Sequence, residues 1–170
     1  MNSKLISYLF LLLMLTSFWS CSTSYSFTGA SIAPEVKTVS IDFFSSQASL
    51  APPTAGQEFT ESLKDIFLSQ TNLSLVKSGG DLTFDGFISD YTSSPVSIQG
   101  DETAALTRVT MTVKVRFTDN NDESNSFESS FSRFEDFETS KSLSAVEADI
   151  LKSINEQLVQ DIFNKSVTNW

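Results

Sequence analysis

Across Ala104–Thr118 apolar and polar side chains alternate, with Val109, Met111, Val113, Val115 and Phe117 interleaved with Arg108, Thr110, Thr112, Lys114 and Arg116. A period of two sustained this long does not fit a helix. It is the pattern of a strand with one face buried and the other in water. An all-helical fold is thereby excluded, and the chain must supply further strands plus a layer that covers one side of the sheet.

The rest of the chain supplies both. Val36–Phe44 alternates in the same way, with Val39, Ile41 and Phe43 opposite Thr38, Ser40 and Asp42, and predicts a first half-buried strand. Ser45–Pro53 reads as a polar loop. Thr54 with Gln57 has the form of a capping box, and Phe59, Leu63, Ile66 and Phe67 recur at helical spacing, so an amphipathic helix is expected over Thr54–Thr71. Leu73–Val76 is a short extended piece, and Ser78-Gly79-Gly80 a turn. Asp81–Tyr91 predicts a strand with Leu82, Phe84 and Ile88 inward and Thr83, Asp85, Phe87, Ser89 and Tyr91 outward, Gly86 marking a bulge or a close backbone approach. A loop over Ser93–Glu102 then leads to the strand described first.

Asp119–Asn125 is an acidic hairpin turn, and Ser126–Phe137 predicts the last strand, with Phe127 and Phe131 inward. The spacing of Phe131, Phe134 and Phe137 also fits a helix. Ser144 with Glu147 repeats the capping-box pattern, with Leu143 as a hydrophobic staple. Ile150, Leu151, Ile154, Leu158 and Ile162 then form the stripe of a helix reaching about Val167. The order is β-α-β-β-β-α. It predicts an α/β (α+β) two-layer sandwich, a mixed four-stranded sheet with both helices on one face and the other face open. The first two strands should be parallel across a helical crossover.

The first twenty residues carry an address. A single Lys4, an apolar run from Leu5 to Leu15 and Ser20 before Cys21 match a secretory signal too short to span a bilayer. Cys21 is the only cysteine. Its position suggests a lipoprotein signal, with cleavage before Cys21 and acyl chains on its sulfur and amine. An ordinary signal peptide with an incidental cysteine, or an uncleaved anchor helix, would leave the same pattern. The expected organisation is a signal over 1–20, a Ser- and Thr-rich tether over 21–33 and one domain over 34–170. Beyond the signal, ten basic residues face 21 acidic ones, a formal charge of −11. A surface of that sign repels polyanions, so general nucleic-acid binding is disfavoured.

The chemistry is narrow. There is no histidine and no spare cysteine, so the common nucleophile–base pairs and zinc sites have almost no ligands to draw on. The sequence offers no cofactor loop and no calcium-loop spacing. Glu135 with Glu138, or Asp101 with Glu102, are carboxylate neighbours on paper, but adjacency in sequence does not place two acids around one bond. The expectation is a protein that is not an enzyme and holds no metal or cofactor.

Arg108, Lys114 and Arg116 are more informative. Period two places all three on the open face, where Phe87 and Tyr91 of the neighbouring strand would join them, with Arg133 if a bulge turns it outward. They suit a phosphorylated amphiphile, since guanidinium forks match phosphate bidentately. The same residues serve cross-strand pairing with Glu128 and its neighbours, and the sequence leaves both roles open.

Five stretches together resemble the lipopolysaccharide-assembly lipoprotein family LptE in its Bacteroidetes form. They are Tyr25–Ile32 (YSFTGASI), Lys37–Phe44 (KTVSIDFF), Leu63–Asp90, Pro95–Phe117 (PVSIQGDETAALTRVTMTVKVRF) and Glu156–Trp170 (EQLVQDIFNKSVTNW). The likeness covers nearly the whole chain beyond the signal. It implies an outer-membrane lipoprotein, lipid-anchored on the periplasmic side, with a two-layer sandwich seated in the lumen of the LptD β-barrel. There it would support barrel assembly and assist insertion of lipopolysaccharide into the outer leaflet. Arg108, Lys114 and Arg116 are then candidate lipopolysaccharide contacts, and Phe87 and Tyr91 candidate partner contacts. The alternatives are a surface or periplasmic glycan- or ligand-binding lipoprotein, which would need aromatic platforms, and a periplasmic two-carboxylate hydrolase, which would need a cleft.

Overall fold

The computed structural model describes residues 32–96 and 105–167. The signal, Cys21, most of the tether, Asp101 with Glu102, and Trp170 lie outside the described residues.

The elements are β1 (Thr38–Ile41), β2 (Ser45–Ser46), α1 (Ala55–Gln70), β3 (Ser74–Val76), β4 (Leu82–Val96), β5 (Leu106–Asp119), a 3₁₀ turn (Glu123–Asn125), β6 (Phe127–Glu138) and α2 (Leu143–Val167). They form one sheet in the order β3-β1-β4-β5-β6, with β2 continuing the edge along β4. β1 is parallel to both β3 and β4, while β4, β5 and β6 are successive antiparallel neighbours. The two-layer class and the parallel first pair are as the sequence predicts. The sheet has six strands rather than four because β2 and β3, two and three residues long, are too short to display a period.

Both helices pack on one face over a core built from phenylalanine. Phe44, Phe59, Phe67, Phe84, Phe117 and Phe163 are fully buried. Rings step from α2 through α1 across the sheet, Phe163 to Phe67 at 5.2 Å, Phe67 to Phe84 at 4.8 Å, Phe84 to Phe117 at 4.8 Å and Phe117 to Phe127 at 5.2 Å. Such tilted and edge-on contacts add directional attraction to the burial of each ring. Thr60 ties helix to sheet beneath this row. Its hydroxyl accepts from the Phe44 amide at 3.0 Å and donates to the Gly56 carbonyl at 2.6 Å.

Several local expectations are corrected. Neither capping box forms. Thr54 has helical backbone angles and makes no side-chain cap. The second helix begins at Leu143, so Ser144 lies within its first turn, and the Glu147 carboxylate instead accepts from the Tyr91 hydroxyl at 3.2 Å. Phe43 is 64% exposed and Phe44 is buried, because the strand breaks between β1 and β2 and the inward phase slips by one residue. A second slip occurs in β4, where Ser89 is an extra residue between the pairs Ile88–Val113 and Asp90–Thr112. Such a bulge reverses side-chain parity beyond it. Tyr91 is therefore 3% exposed and faces the core, not the solvent face. Burial first, and the Glu147 charge second, hold its phenol proton on well above the ordinary range. Phe131, Phe134 and Phe137 lie in a strand, not a helix.

Asp81 anchors the start of β1. Its carboxylate accepts from the Lys37 amide at 2.8 Å and from the Thr38 amide and hydroxyl at 2.9 Å. The hydrogen bond from the Lys37 amide first, then those from Thr38, hold its carboxyl below the ordinary range. A carboxyl with a depressed folded pKa stabilises the fold above its unfolded pKa of about 3.9, and that contribution is lost as pH falls through the folded value. Asp81→Asn is expected to lower the urea midpoint at pH 7, and the two proteins should converge once the pH has fallen through the depressed folded pKa of Asp81. An unchanged midpoint at pH 7 would show that the three bonds contribute nothing net.

Asn155 is buried on α2 and its side-chain oxygen has no hydrogen-bond partner among the described residues. An unsatisfied buried acceptor costs about 1–3 kcal/mol. Asn155→Leu, of the same branching though bulkier, is expected to raise stability by about 1 kcal/mol if the surrounding side chains accommodate the two methyls. A lowered midpoint in urea would mean that they do not, or that the oxygen is served after all.

Candidate functional site

The helix-free face of the sheet is laid out in cross-strand rows. Reading β4, β5 and β6 in register, the rows are Asp85–Arg116–Glu128, Phe87–Lys114–Ser130, Asp90–Thr112–Ser132, Thr92–Thr110–Phe134 and Ser94–Arg108–Asp136. The predicted basic residues all lie on this face. They do not form one cluster, because two rows intervene between Lys114 and Arg108, which lie about 20 Å apart at ~3.4 Å per residue. The rows between hold Thr92, Thr110, Thr112 and Ser132 beside Asp90 and Phe134, with a Thr112–Ser132 hydroxyl bond at 3.0 Å.

The charges differ in how they are held. Arg108 forms a two-pronged pair with Asp136, both contacts at 2.8 Å, and its guanidinium carbon lies 3.6 Å from the Phe134 ring centre. The Arg108 hydrogen bond keeps the Asp136 carboxyl below the ordinary range. Arg116 makes a similar fork with Asp85, at 2.9 Å and 2.8 Å. Lys114 is exposed and belongs to none of the described ion pairs. Its ammonium lies 5.8 Å from the Phe87 ring centre, beside a shallow hollow of about 160 Å³ lined by Glu128, Ser129 and Ser130. Cross-strand pairing is thus realised for both arginines, while Lys114 is left open.

Arg133 does not join this face. Its register partner is the buried Met111, so it projects to the helix side, where it pairs with Asp161 of α2 at 2.5 and 2.7 Å. No bulge interrupts the β5–β6 register to turn it outward. Glu135 also lies on the helix side and accepts from the Ser153 hydroxyl at 2.7 Å, whereas Glu138 lies on the open face, so these two acids do not share a site. The acids of the β5–β6 turn serve the turn itself. Asp119 accepts from the amides of Asn121 and Asp122 and from the Asn125 side chain, and Asp122 from Ser124.

Sequence reasoning missed Asp85 and Asp136 as the carboxylate partners, and Phe134 as the ring beneath Arg108. The signal was available: once Phe127 and Phe131 are placed inward, period two puts Phe134 and Asp136 outward.

Fold and site together define a small two-layer sandwich with an open, hydroxyl-lined sheet face carrying two paired arginines, the exposed Lys114 and scattered rings. The family model for lipopolysaccharide-assembly proteins, LptE, matches residues 36–166. The chain belongs to the LptE family. A comparison with curated protein sequences found no match. Among solved structures, the chain is similar to a minor lipoprotein from Acinetobacter baumannii (TM-score 0.51, 14% identity, 76% of this chain and 91% of that one). It is also similar to the hypothetical protein CT253 from Chlamydia trachomatis (TM-score 0.52, 12% identity, 79% of this chain and 99% of that one). At these identities the likeness is one of fold.

Proposed function

We propose that the chain is a non-enzymatic subunit of the lipopolysaccharide-assembly machinery of the outer membrane. Acyl chains on Cys21 tether it at the periplasmic side, and the sandwich seats in the lumen of an LptD-type β-barrel. The open sheet face presents Lys114 to lipopolysaccharide phosphates, with Arg116 beside it and Arg108 as a second, more distant cation. Phe87, half-buried next to Lys114, is the remaining partner-contact candidate on this face. The observation that supports this reading most is membership of the LptE family over residues 36–166. A polar, rigid sheet face also suits a barrel lumen, which is water-facing.

Because both arginines already hold carboxylates, Lys114 dominates the anion contact. Lys114→Ala is expected to weaken lipopolysaccharide binding about tenfold, the scale of one charge-assisted hydrogen bond, and Arg108→Ala to weaken it less. Retention of the barrel partner by both variants would separate ligand binding from assembly. Unchanged lipopolysaccharide binding in a folded Lys114→Ala, Arg116→Ala double variant would overturn the assignment.

Affinity isolation of the full chain from detergent-extracted outer membranes tests the assembly role. A stoichiometric large barrel protein with co-eluting lipopolysaccharide is expected. Recovery of a lone lipoprotein would favour the glycan- or ligand-binding alternative. The mass of the purified chain is expected to show cleavage before Cys21 and added acyl chains, both lost in Cys21→Ala; a cleaved wild-type chain without lipid mass would exclude the acyl tether.

A further inference from the structure

The two sides of the sheet treat their free edges differently. On the β3 side the outermost strand is three residues long. Beyond Ile88, where β2 ends, β4 carries the Ser89 bulge and Pro95. Short strands, bulges and proline are the devices by which natural sheets avoid recruiting another chain. At the opposite side, β6 has none of these. It is twelve residues long, contains no proline and no lysine, and keeps unbroken register with β5 from Phe127 to Glu138. Among the described residues no strand pairs with its outer side.

Of the further devices, charged side chains on β6 are, Arg133 apart, acidic and disfavour only acidic or self pairing, and charge pointing inward on the edge strand is spent elsewhere. Arg133 is held by Asp161 and Glu135 by Ser153, both on α2. The strand also leaves apolar surface incomplete on both faces. Phe127, Phe131 and Phe137 are only partly buried on the helix side, and Phe134 is 47% exposed on the open side. A neighbouring strand would cover rings on both faces while satisfying the free backbone groups.

We propose that β6 is a docking edge that takes an extended segment of a partner polypeptide as a further strand, and that this segment carries lysine or arginine at alternating positions. The charge of the strand selects among the possible occupants. β6 holds Glu128, Glu135, Asp136 and Glu138 against the single Arg133. A second copy pairing antiparallel about Ser132 would set Glu128 opposite Asp136, and about Arg133 would set Glu128 opposite Glu138. Like charges directly opposite one another destabilise a strand pair. Residues 22–31 of the chain itself carry no charge and gain nothing from this edge electrostatically. A basic strand gains at each exposed acid, with backbone bonds supplying the affinity common to strand addition. This inference does not depend on the lipopolysaccharide reading, which concerns the face rather than the edge.

The test is amide hydrogen exchange of the full chain with a capped ten-residue peptide of alternating threonine and lysine at millimolar concentration. Two controls accompany it: the peptide with glutamate in place of lysine, and one with proline in place of threonine, which keeps the charge but loses alternate donors. Exchange within Phe127–Glu138 is expected to slow at least tenfold with the lysine peptide alone. That slowing should disappear in the Glu128→Lys, Glu138→Lys double variant and in Ser130→Lys, with exchange in α2 unchanged as the check that both fold. Equal slowing by the proline peptide would reduce the effect to net charge, and slowing by the glutamate peptide would contradict the stated chemistry. Absence of slowing overturns the proposal. So does slowing that grows with protein concentration without peptide, which would make a second copy the occupant.

Discussion

Phe67→Ala is expected to lower the unfolding free energy by about 3–5 kcal/mol, the range for truncating a buried aromatic side chain. Phe67 is fully buried and touches rings on both sides of it, Phe84 on β4 at 4.8 Å and Phe163 on α2 at 5.2 Å. Its removal opens a cavity where α1, α2 and the sheet meet, the place least able to collapse because three elements would have to move together. Domains of this size are typically stable by only about 5–15 kcal/mol, so a third or more of the total is at stake. Urea denaturation with a fixed slope measures the loss. Phe134→Ala is the control, since that ring is half in solvent. Equal losses for the two would mean that the ring row is not the centre of the core.

Gly86→Ala is expected to cost about 3 kcal/mol, at the upper end of overpacking penalties. The backbone of β4 approaches β5 so closely here that a β-carbon would overlap the Lys114 carbonyl oxygen and lie 2.7 Å from the Phe44 ring. A ring can turn aside, whereas a carbonyl fixed in a strand ladder cannot. Phe44→Leu in the Gly86→Ala background should therefore fail to restore stability. Full rescue would assign the cost to the ring instead. Because the obstructing carbonyl belongs to Lys114, the alanine variant should also disturb the open face, and its lipopolysaccharide affinity should fall even at temperatures where it remains folded.

What was legible in the sequence follows the length of each periodic run. Val109 to Phe117 alternate without interruption, and all five apolar members are buried. The stripe from Ile150 to Ile162 fixed α2 as well, with every named member buried. Phase was lost wherever the backbone inserts or skips one residue. At Ser89 nothing in the local residue types announces a bulge, and Tyr91 is amphipathic enough to be placed on either face. At Phe43-Phe44 two identical residues compete for one inward position, and the outcome rests on the strand break after β1 and on tertiary contacts of Phe44 with α1, its amide on Thr60 and its carbonyl close to Gly56. The capping boxes failed for a related reason. Thr54-x-x-Gln57 and Ser144-x-x-Glu147 are permissive patterns, and a tertiary partner, Tyr91, outbid the local backbone for Glu147. At the site, parity placed Arg108, Lys114 and Arg116 on one face correctly. The carboxylates that hold the two arginines come from other strands, so register had to be known before the pairs could be.

The parallel pairing of β1 has a consequence for the order in which the fold can close. β1 meets only strands made later, with Val39 opposite Leu75 on one side and Leu82 on the other. α1 can cover β1 and part of β4 early, through contacts such as Phe67 with Phe84, but the β5–β6 end of the helix-facing side is completed only when α2 has been synthesised. The core is therefore complete only when nearly the whole chain is present, and the long sequence separations of these contacts make its assembly slow relative to local structure. The fold is thus closed from its C-terminal end, α2 being the element that joins the two halves of the sheet's inner face.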